Sequence, residues 1–365
     1  MNFIYESATK ANNLIEMFEN FQLLIKISPP QIKYEILDIE KGLIRQTLFV
    51  KAIKKEIIFE SLYNKTSKNS FCIKVISGPL KGTNTIIEIL ENDKKSKVVV
   101  DLELKVGLKY KIFSSILLKK IKAVNISLFN RLEKFAALLY NEKYKITFEN
   151  NYNTLVLNTE NKKLLFDGWW LGDVWSCFVG DVYDKIPIEN KTIIDVGVNI
   201  ADTAISFIHK GAKKVIGLEP FPINYEFAKK NTSKNDMEDK IINILGGCSS
   251  KSSEILIDPK LSGLGFKMEE KLEGEKIKQY SLEELVEKFE INDGVIKMNC
   301  EGCEYDTINN ASVDILKKFS HIVIQYHSGA DTLTKKLTNS GFKVTKESYS
   351  DEKGQLIAVM DTKNQ

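Results

Sequence analysis

From Lys191 to the C-terminus, short and nearly continuous apolar runs alternate with longer amphipathic segments, and few folds accept that order. TIIDVG (192–197), KVIGLE (214–219), INILGG (242–247), VIKMN (295–299) and HIVIQYH (321–327) have strand length and little polar interruption. Between them DTAISFIHKG (202–211), NYEFAKKNTSK (224–234), SLEELVEKF (281–289), residues 311–318 and DTLTKKLTNSG (331–341) read as helices. Strands without a polar face must be covered on both sides, so this half predicts a doubly wound, Rossmann-like α/β sheet. The last two strands, GFKVTKE and QLIAVMD, are joined too closely for a helical crossover. They predict an antiparallel hairpin at one edge.

At 365 residues the chain is long enough for about two domains. The reading divides it at 1–142, 143–190 and 191–365. The first part is α+β: a strand at 2–7, a helix from Lys10 to Phe18, and strands at 34–39, 43–53, 56–62, 71–77, 83–90 and 97–104. Residues 111–140 then carry a helical apolar stripe of Ile112, Ile116, Leu117, Ile121, Val124, Leu128, Leu132, Phe135 and Leu139. An antiparallel sheet wrapped around one long helix leaves a cavity between them. This element order resembles the START-like, polyketide-cyclase-type helix-grip superfamily, which implies a hydrophobic ligand pocket over roughly residues 1–140. The connecting segment holds strands at 154–159 and 163–168, then Trp169, Trp170, Trp175 and Phe178. Such a cluster reads as packing before it reads as recognition.

Several classes are disfavoured by composition. Net charge is +3, and arginine occurs only at Arg45 and Arg131, so the C-terminal half has no guanidinium fork for a phosphate or a guanine edge. Nucleic acid is therefore not the expected partner. The five cysteines are odd in number and scattered, which is no disulfide framework and fits a reducing compartment. No signal peptide and no apolar run of membrane-spanning length is visible, so a cytoplasmic protein is expected.

The chemistry concentrates where the first strand of the parallel sheet meets its first helix, at Asp195-Val-Gly-Val-Asn-Ile-Ala-Asp202. A glycine at this turn lets backbone approach a ligand at the switch point of the sheet. A dinucleotide site would want G-x-G-x-x-G facing a pyrophosphate. Here the pattern is G-x-N-x-A, and Asp202 places a negative charge where a phosphate would sit. Glu219 ends the second strand, 24 residues beyond Asp195, where doubly wound folds put the acid that holds ribose hydroxyls. A phosphate-free turn flanked by acids suits a nucleoside bearing cationic groups, namely S-adenosylmethionine.

DVGVNIADTAISF, GLEPFPINYEFAKKN and KMNCEGCEYDTINNAS, in that order, closely resemble the FkbM-type methyltransferases, usually O-methyltransferases. The resemblance runs over about 190–345. It implies that Asp195, Gly197, Asn199, Asp202 and Glu219 line the cofactor site, and that Lys297 to Glu304 face the transferred methyl. Three positions depart from the family pattern: Ala201 stands for a usual glycine, Asn299 for an aspartate and Gln325 for a frequent glutamate. The last two exchange a carboxylate for an amide, leaving Glu301, Glu304 and His327 as titratable candidates. His327 or Glu301 is expected to take the proton, with Asn299 positioning. Cys300-Glu-Gly-Cys303 has neither a second C-x-x-C nor a His pair at ligand spacing, so no metal site is assigned. His209 and His321 read as structural, and Ser-Gly-Leu-Gly (262–265) as a loop near the cleft.

The expectation is methyl transfer from S-adenosylmethionine to an oxygen of a hydrophobic or lipid-like small molecule held by the N-terminal domain. The rival is a ligand-binding or sensor protein whose methyltransferase domain binds cofactor without reacting. The oligomeric state is not readable.

Overall fold

The structure is a computed structural model and describes residues 1–29, 31–50, 54–93, 95–180, 182–260 and 274–361. The Ser-Gly-Leu-Gly stretch at 262–265 and the end of the strand expected at 43–53 lie outside the described residues. Contacts divide the chain into two compact units, Met1–Tyr152 with Trp170–Trp175, and Asn153–Trp169 with Ser176–Gln365.

The first unit is built on β1 (Asn2–Ser7), β2 (Ile32–Asp38), β3 (Leu43–Val50), β4 (Lys55–Ser67), β5 (Ser70–Val75), β6 (Asn84–Asn92) and β7 (Lys95–Glu103). They form one antiparallel sheet in the order β1-β7-β6-β5-β4-β3-β2. Alternation decides which face is covered: Val98, Val100 and Leu102 of β7 and Ile44, Leu48 and Val50 of β3 are buried. Helices α1 (Ala11–Glu19) and α2 (Phe21–Lys26) follow β1, and α3 (Ser114–Leu139) follows β7. A short β8 (Lys145–Glu149) comes next. Neither α2 nor β8 was expected, because six and five residues carry too little periodicity to register.

The stripe expected along 111–140 needs one correction. Leu117, Phe129, Leu132, Phe135, Ala136 and Leu138 are buried, whereas Ile112 is 81% exposed and Ile116 36%. Residues Leu108–Phe113 form a 3₁₀ segment, whose three-residue turn shifts the phase of the pattern ahead of α3. Val106, Tyr110 and Phe113 take the inward positions there. They pack with Leu117, Ile121 and Val124 against the buried side chains of β2, β3 and β4. A separate cavity of about 300 Å³ is lined by Phe18, Phe21, Ile39, Tyr63 and Phe71, with Glu19 and Lys65 among its polar residues.

In the second unit β9 (Thr154–Asn158) and β10 (Lys163–Asp167) form a hairpin, and the chain then runs through α4 (Leu171–Phe178), whose first residues belong to the first unit. The main sheet is built from β11 (Thr192–Val196), β12 (Lys214–Glu219) and β13 (Ile241–Leu245), then β17 (Gly294–Met298), β18 (Phe319–Tyr326), β19 (Phe342–Ser348) and β20 (Gly354–Met360). Its order is β13-β12-β11-β17-β18-β20-β19. The first five run parallel, and β20 and β19 close the edge as the expected antiparallel hairpin. Helices α5 (Asp202–His209), α6 (Pro222–Lys234), α7 (Leu282–Lys288), α8 (Cys303–Asn310), α9 (Val313–Leu316) and α10 (Asp331–Asn339) connect them. Ile194, Ile216, Ile296, Ile322 and Ile324 are fully buried at its centre, as strands covered on both faces require. A small sheet of β14 (Gly247–Cys248), β15 (Ser253–Ile257) and β16 (Glu275–Tyr280), in the order β14-β16-β15, was not legible from the sequence.

Strand order reverses between β11 and β17, since the chain leaves β11 toward β12 and returns on the other side. The crevice at the carboxyl ends of those strands is where open α/β sheets bind ligands. Among the described residues, no helix is long and apolar enough to cross a membrane.

Candidate active site

The turn after β11 is shaped by what its backbone must avoid. Gly197 has φ +78°, and a Cβ there would lie 2.3 Å from the carbonyl oxygen of Asn299. Asn199 (φ 53°) and Ala201 (φ 67°) are also left-handed, so the alanine occupies a conformation that costs L-residues about 1 kcal/mol. Asp202 opens α5, is buried, and accepts the Cys177 thiol hydrogen at 3.3 Å.

Glu219 ends β12 beside that turn and is only 4% exposed. Its carboxylate accepts the Asn199 N–H at 2.9 Å and the Phe221 N–H at 3.1 Å. Burial pushes its pKa up to about 7, and the two amide hydrogen bonds only partly oppose this. The Asn199 amide is thereby committed to a carboxylate, which disfavours a phosphate at the same place.

Between β11 and β17, Asp195 and Lys297 are register partners. Lys297 donates to Asp195 Oδ1 at 2.7 Å and to the carbonyl oxygen of Gly197 at 3.0 Å. Burial works against the Lys297 ammonium, but the Asp195 carboxylate outweighs it and holds the lysine charged. Lys297 is the first of the residues expected to face the transferred methyl. In the fold its side chain is buried and braces the turn.

Beyond β17, the Asn299 N–H donates to the carbonyl oxygen of Val196 at 2.9 Å, so Asn299 stands against the turn. Its Oδ1 is buried and has no hydrogen-bond partner among the described residues. The chain then passes through two left-handed residues, Glu301 (φ 54°) and Gly302 (φ 124°), into α8. Glu304 is fully buried in the first turn of α8, where Oε2 accepts the Gly302 N–H at 2.8 Å. Its Oε1 lies 3.1 Å from His327 Nδ1, while His327 Nε2 is 3.5 Å from Glu301 Oε1. His327 follows β18, and its loop is fastened by Tyr305. That hydroxyl donates to the carbonyl oxygen of Gly329 at 2.8 Å and receives the N–H groups of His327 and Ser328.

The fold thus gathers Asp195, Gly197, Asn199, Asp202 and Glu219 at one turn, and Glu301, Glu304 and His327 at another. Asn299 joins the first group by contact. Tyr305 was missed, since only the returning loop reveals its task. Gln325 donates to the Tyr183 hydroxyl at 3.2 Å. The cysteines were expected to form no disulfide framework; one pair, Cys300 and Cys303, is bonded, because the turn through Glu301 and Gly302 brings their Cα atoms to 5.6 Å. Cys72, Cys177 and Cys248 take part in no disulfide. Among the described residues no cluster of His, Cys, Asp and Glu suits a metal ion.

Residues 195–344 match the methyltransferase FkbM domain, which spans the whole site and leaves the first unit uncovered. No curated protein matches the chain. Among solved structures, the chain is similar to a START superfamily protein from Mycobacterium smegmatis at 14% identity. That alignment covers 37% of this chain and 97% of the other, with TM-score 0.31. It is similar to the ZhuI aromatase/cyclase of a Streptomyces species at 12% identity, covering 39% and 95%, with TM-score 0.33. It is also similar to TrmK of M. capricolum, solved with S-adenosyl-homocysteine, at 18% identity, covering 48% and 65%, with TM-score 0.31.

Proposed function

We propose that the FkbM methyltransferase domain formed by residues 195–344 uses S-adenosylmethionine to methylate an oxygen of a hydrophobic or amphipathic small molecule. The observation that carries this reading is Glu219, a buried carboxylate closed against the turn after β11, with Asn299 Oδ1 unpartnered beside that turn. Ribose hydroxyls and an ammonium are hydrogen-bond donors, and these oxygens are acceptors, so donor and acceptor sets fit. S-adenosylmethionine supplies an activated methyl group there.

The chain's own residues would do the rest. Glu219 accepts from the ribose, Asp195 and Lys297 hold the turn in shape, and Asn299 accepts from the ligand's amino end. Alignment of nucleophile and methyl provides most of the acceleration, and the acceptor hydroxyl must also lose its proton. His327 takes that proton at Nε2. Glu304 positions it by accepting from Nδ1–H, which fixes the tautomer and leaves Nε2 with a lone pair. Glu301 Oε1 lies 3.5 Å from the same nitrogen. The first unit separately offers an open hollow with Phe18, Phe21, Tyr63 and Phe71 beside Glu19 and Lys65, a place for an amphipathic ligand. Arg45 is paired with Glu35 and Glu60, so it offers little to a nucleic acid.

The amides at 299 and 325 support a second reading, a sensor that binds cofactor without turnover. The experiment is release of S-adenosylhomocysteine by the full chain supplied with lipids extracted from its expression host. Turnover above the no-lipid control supports the enzyme. Tight cofactor binding with no turnover, gained on Asn299→Asp or Gln325→Glu, supports the sensor.

A further inference from the structure

Between Glu103 and Glu133 the chain carries seven basic residues (Lys105, Lys109, Lys111, Lys119, Lys120, Lys122 and Arg131) and no acidic one, in a protein whose net charge is only +3. Within this run Leu108 is 89% exposed, Ile112 81% and Ile116 36%, at spacings of four residues. The core does not explain them, because Val106, Tyr110 and Phe113 already supply the inward face of the segment. The backbone that presents them is held, with the Gly107 N–H donating to Pro79 O and the Tyr110 N–H to Gly107 O, each at 2.9 Å. Lys105, which pairs with Glu103, and Lys109, Lys111 and Lys119 are exposed in the same stretch of chain.

We propose that the start of α3, with the 3₁₀ segment before it, is a docking surface for an anionic lipid bilayer. Two nearly fully exposed aliphatic side chains, with exposed lysines flanking them in sequence, match the acyl boundary and the charged headgroups of such a surface. The segment lies on the membrane without spanning it, as no described helix is long and apolar enough to cross. A second copy of the chain is a poorer occupant, because a self-complementary contact would set like-charged faces together. A nucleic acid would use the lysines and leave Leu108 and Ile112 without a partner. The inference concerns the first unit alone and does not rest on methyl transfer.

The test is cosedimentation of the full chain with vesicles of phosphatidylcholine alone or with 30% phosphatidylglycerol. Binding to the anionic vesicles is expected, weakened by raising salt from 50 to 500 mM because exposed charges are screened. Leu108→Asp/Ile112→Asp and, separately, Lys109→Glu/Lys111→Glu should each weaken it at least tenfold. All four positions are exposed, so both variants should fold. Equal binding to neutral vesicles, or binding indifferent to either double variant, overturns the proposal. So does a wild-type dimer that Leu108→Asp/Ile112→Asp converts to monomer while vesicle binding stays unchanged. Binding to duplex DNA with none to anionic vesicles overturns it as well.

Discussion

Lys297 Nζ stands 2.7 Å from Asp195 Oδ1, and both side chains are nearly inaccessible, at 3% and 0% exposed. One ammonium therefore joins the neighbouring strands β11 and β17 at the point where strand order reverses. It also reaches the carbonyl oxygen of Gly197, so the pair sets the floor of the proposed cofactor turn.

Lys297→Met should leave Asp195 buried without its partner and lower stability by about 3–5 kcal/mol. Urea unfolding followed by circular dichroism measures this. Lys297→Met combined with Asp195→Leu should recover much of the loss, since the uncompensated charge is gone. A single variant within 1 kcal/mol of wild type would mean that the pair does not brace the fold.

The turn itself separates two small substitutions by sign. Gly197→Ala forces a Cβ to 2.3 Å from the Asn299 carbonyl oxygen at φ +78° and should cost several kcal/mol. Ala201→Gly removes a methyl group from a left-handed residue at φ 67° and should gain about 0.5–1 kcal/mol. Thermal unfolding of the two variants should move in opposite directions. A destabilised Ala201→Gly would show that the alanine methyl contributes packing that outweighs its backbone cost.

Much of this was legible beforehand. The parallel strands announced themselves as near-continuous apolar runs, and Asp195 and Glu219, the acids of the proposed cofactor turn, stand on the first two of them. What escaped was either non-local or set by local backbone torsion. In the β14–β16 sheet, β14 is only two residues long and β16 is polar at most positions. The Cys300–Cys303 bond depends on left-handed backbone at Glu301 and Gly302, which no periodicity reports. Ile112 was read as core because a helical phase was carried back through a 3₁₀ segment. Glu304 was seen as a titratable group, but its part in orienting His327 emerged only when β18 returned beside α8.

Glu219 gives a pH signature. Burial raises its pKa from 4.5 to about 7, so the folded chain without ligand keeps this proton where the unfolded chain has lost it. Its contribution to stability is therefore present below pH 4.5 and lost as pH rises to 7. Ribose hydroxyls need the ionised form, so cofactor affinity should rise about tenfold from pH 6 to pH 8. In Glu219→Gln that rise should vanish. Equal slopes in wild type and variant would assign the titration to another group.

His327→Ala should lower turnover by about 10²–10⁴-fold, the usual yield of a positioned base. Glu304→Gln should cost less, because Nδ1–H keeps an acceptor. Cofactor affinity should stay unchanged in both. If His327→Ala turns over at the wild-type rate, proximity or Glu301 carries the reaction.

Isothermal calorimetry of S-adenosylmethionine binding to the full chain and to Glu219→Ala tests the central claim. The wild type should bind, and the variant should lose about 2–4 kcal/mol, the worth of two charge-assisted hydrogen bonds to the ribose. A wild type that does not bind the cofactor, or a Glu219→Ala variant of unchanged affinity, would contradict the site described for this fold.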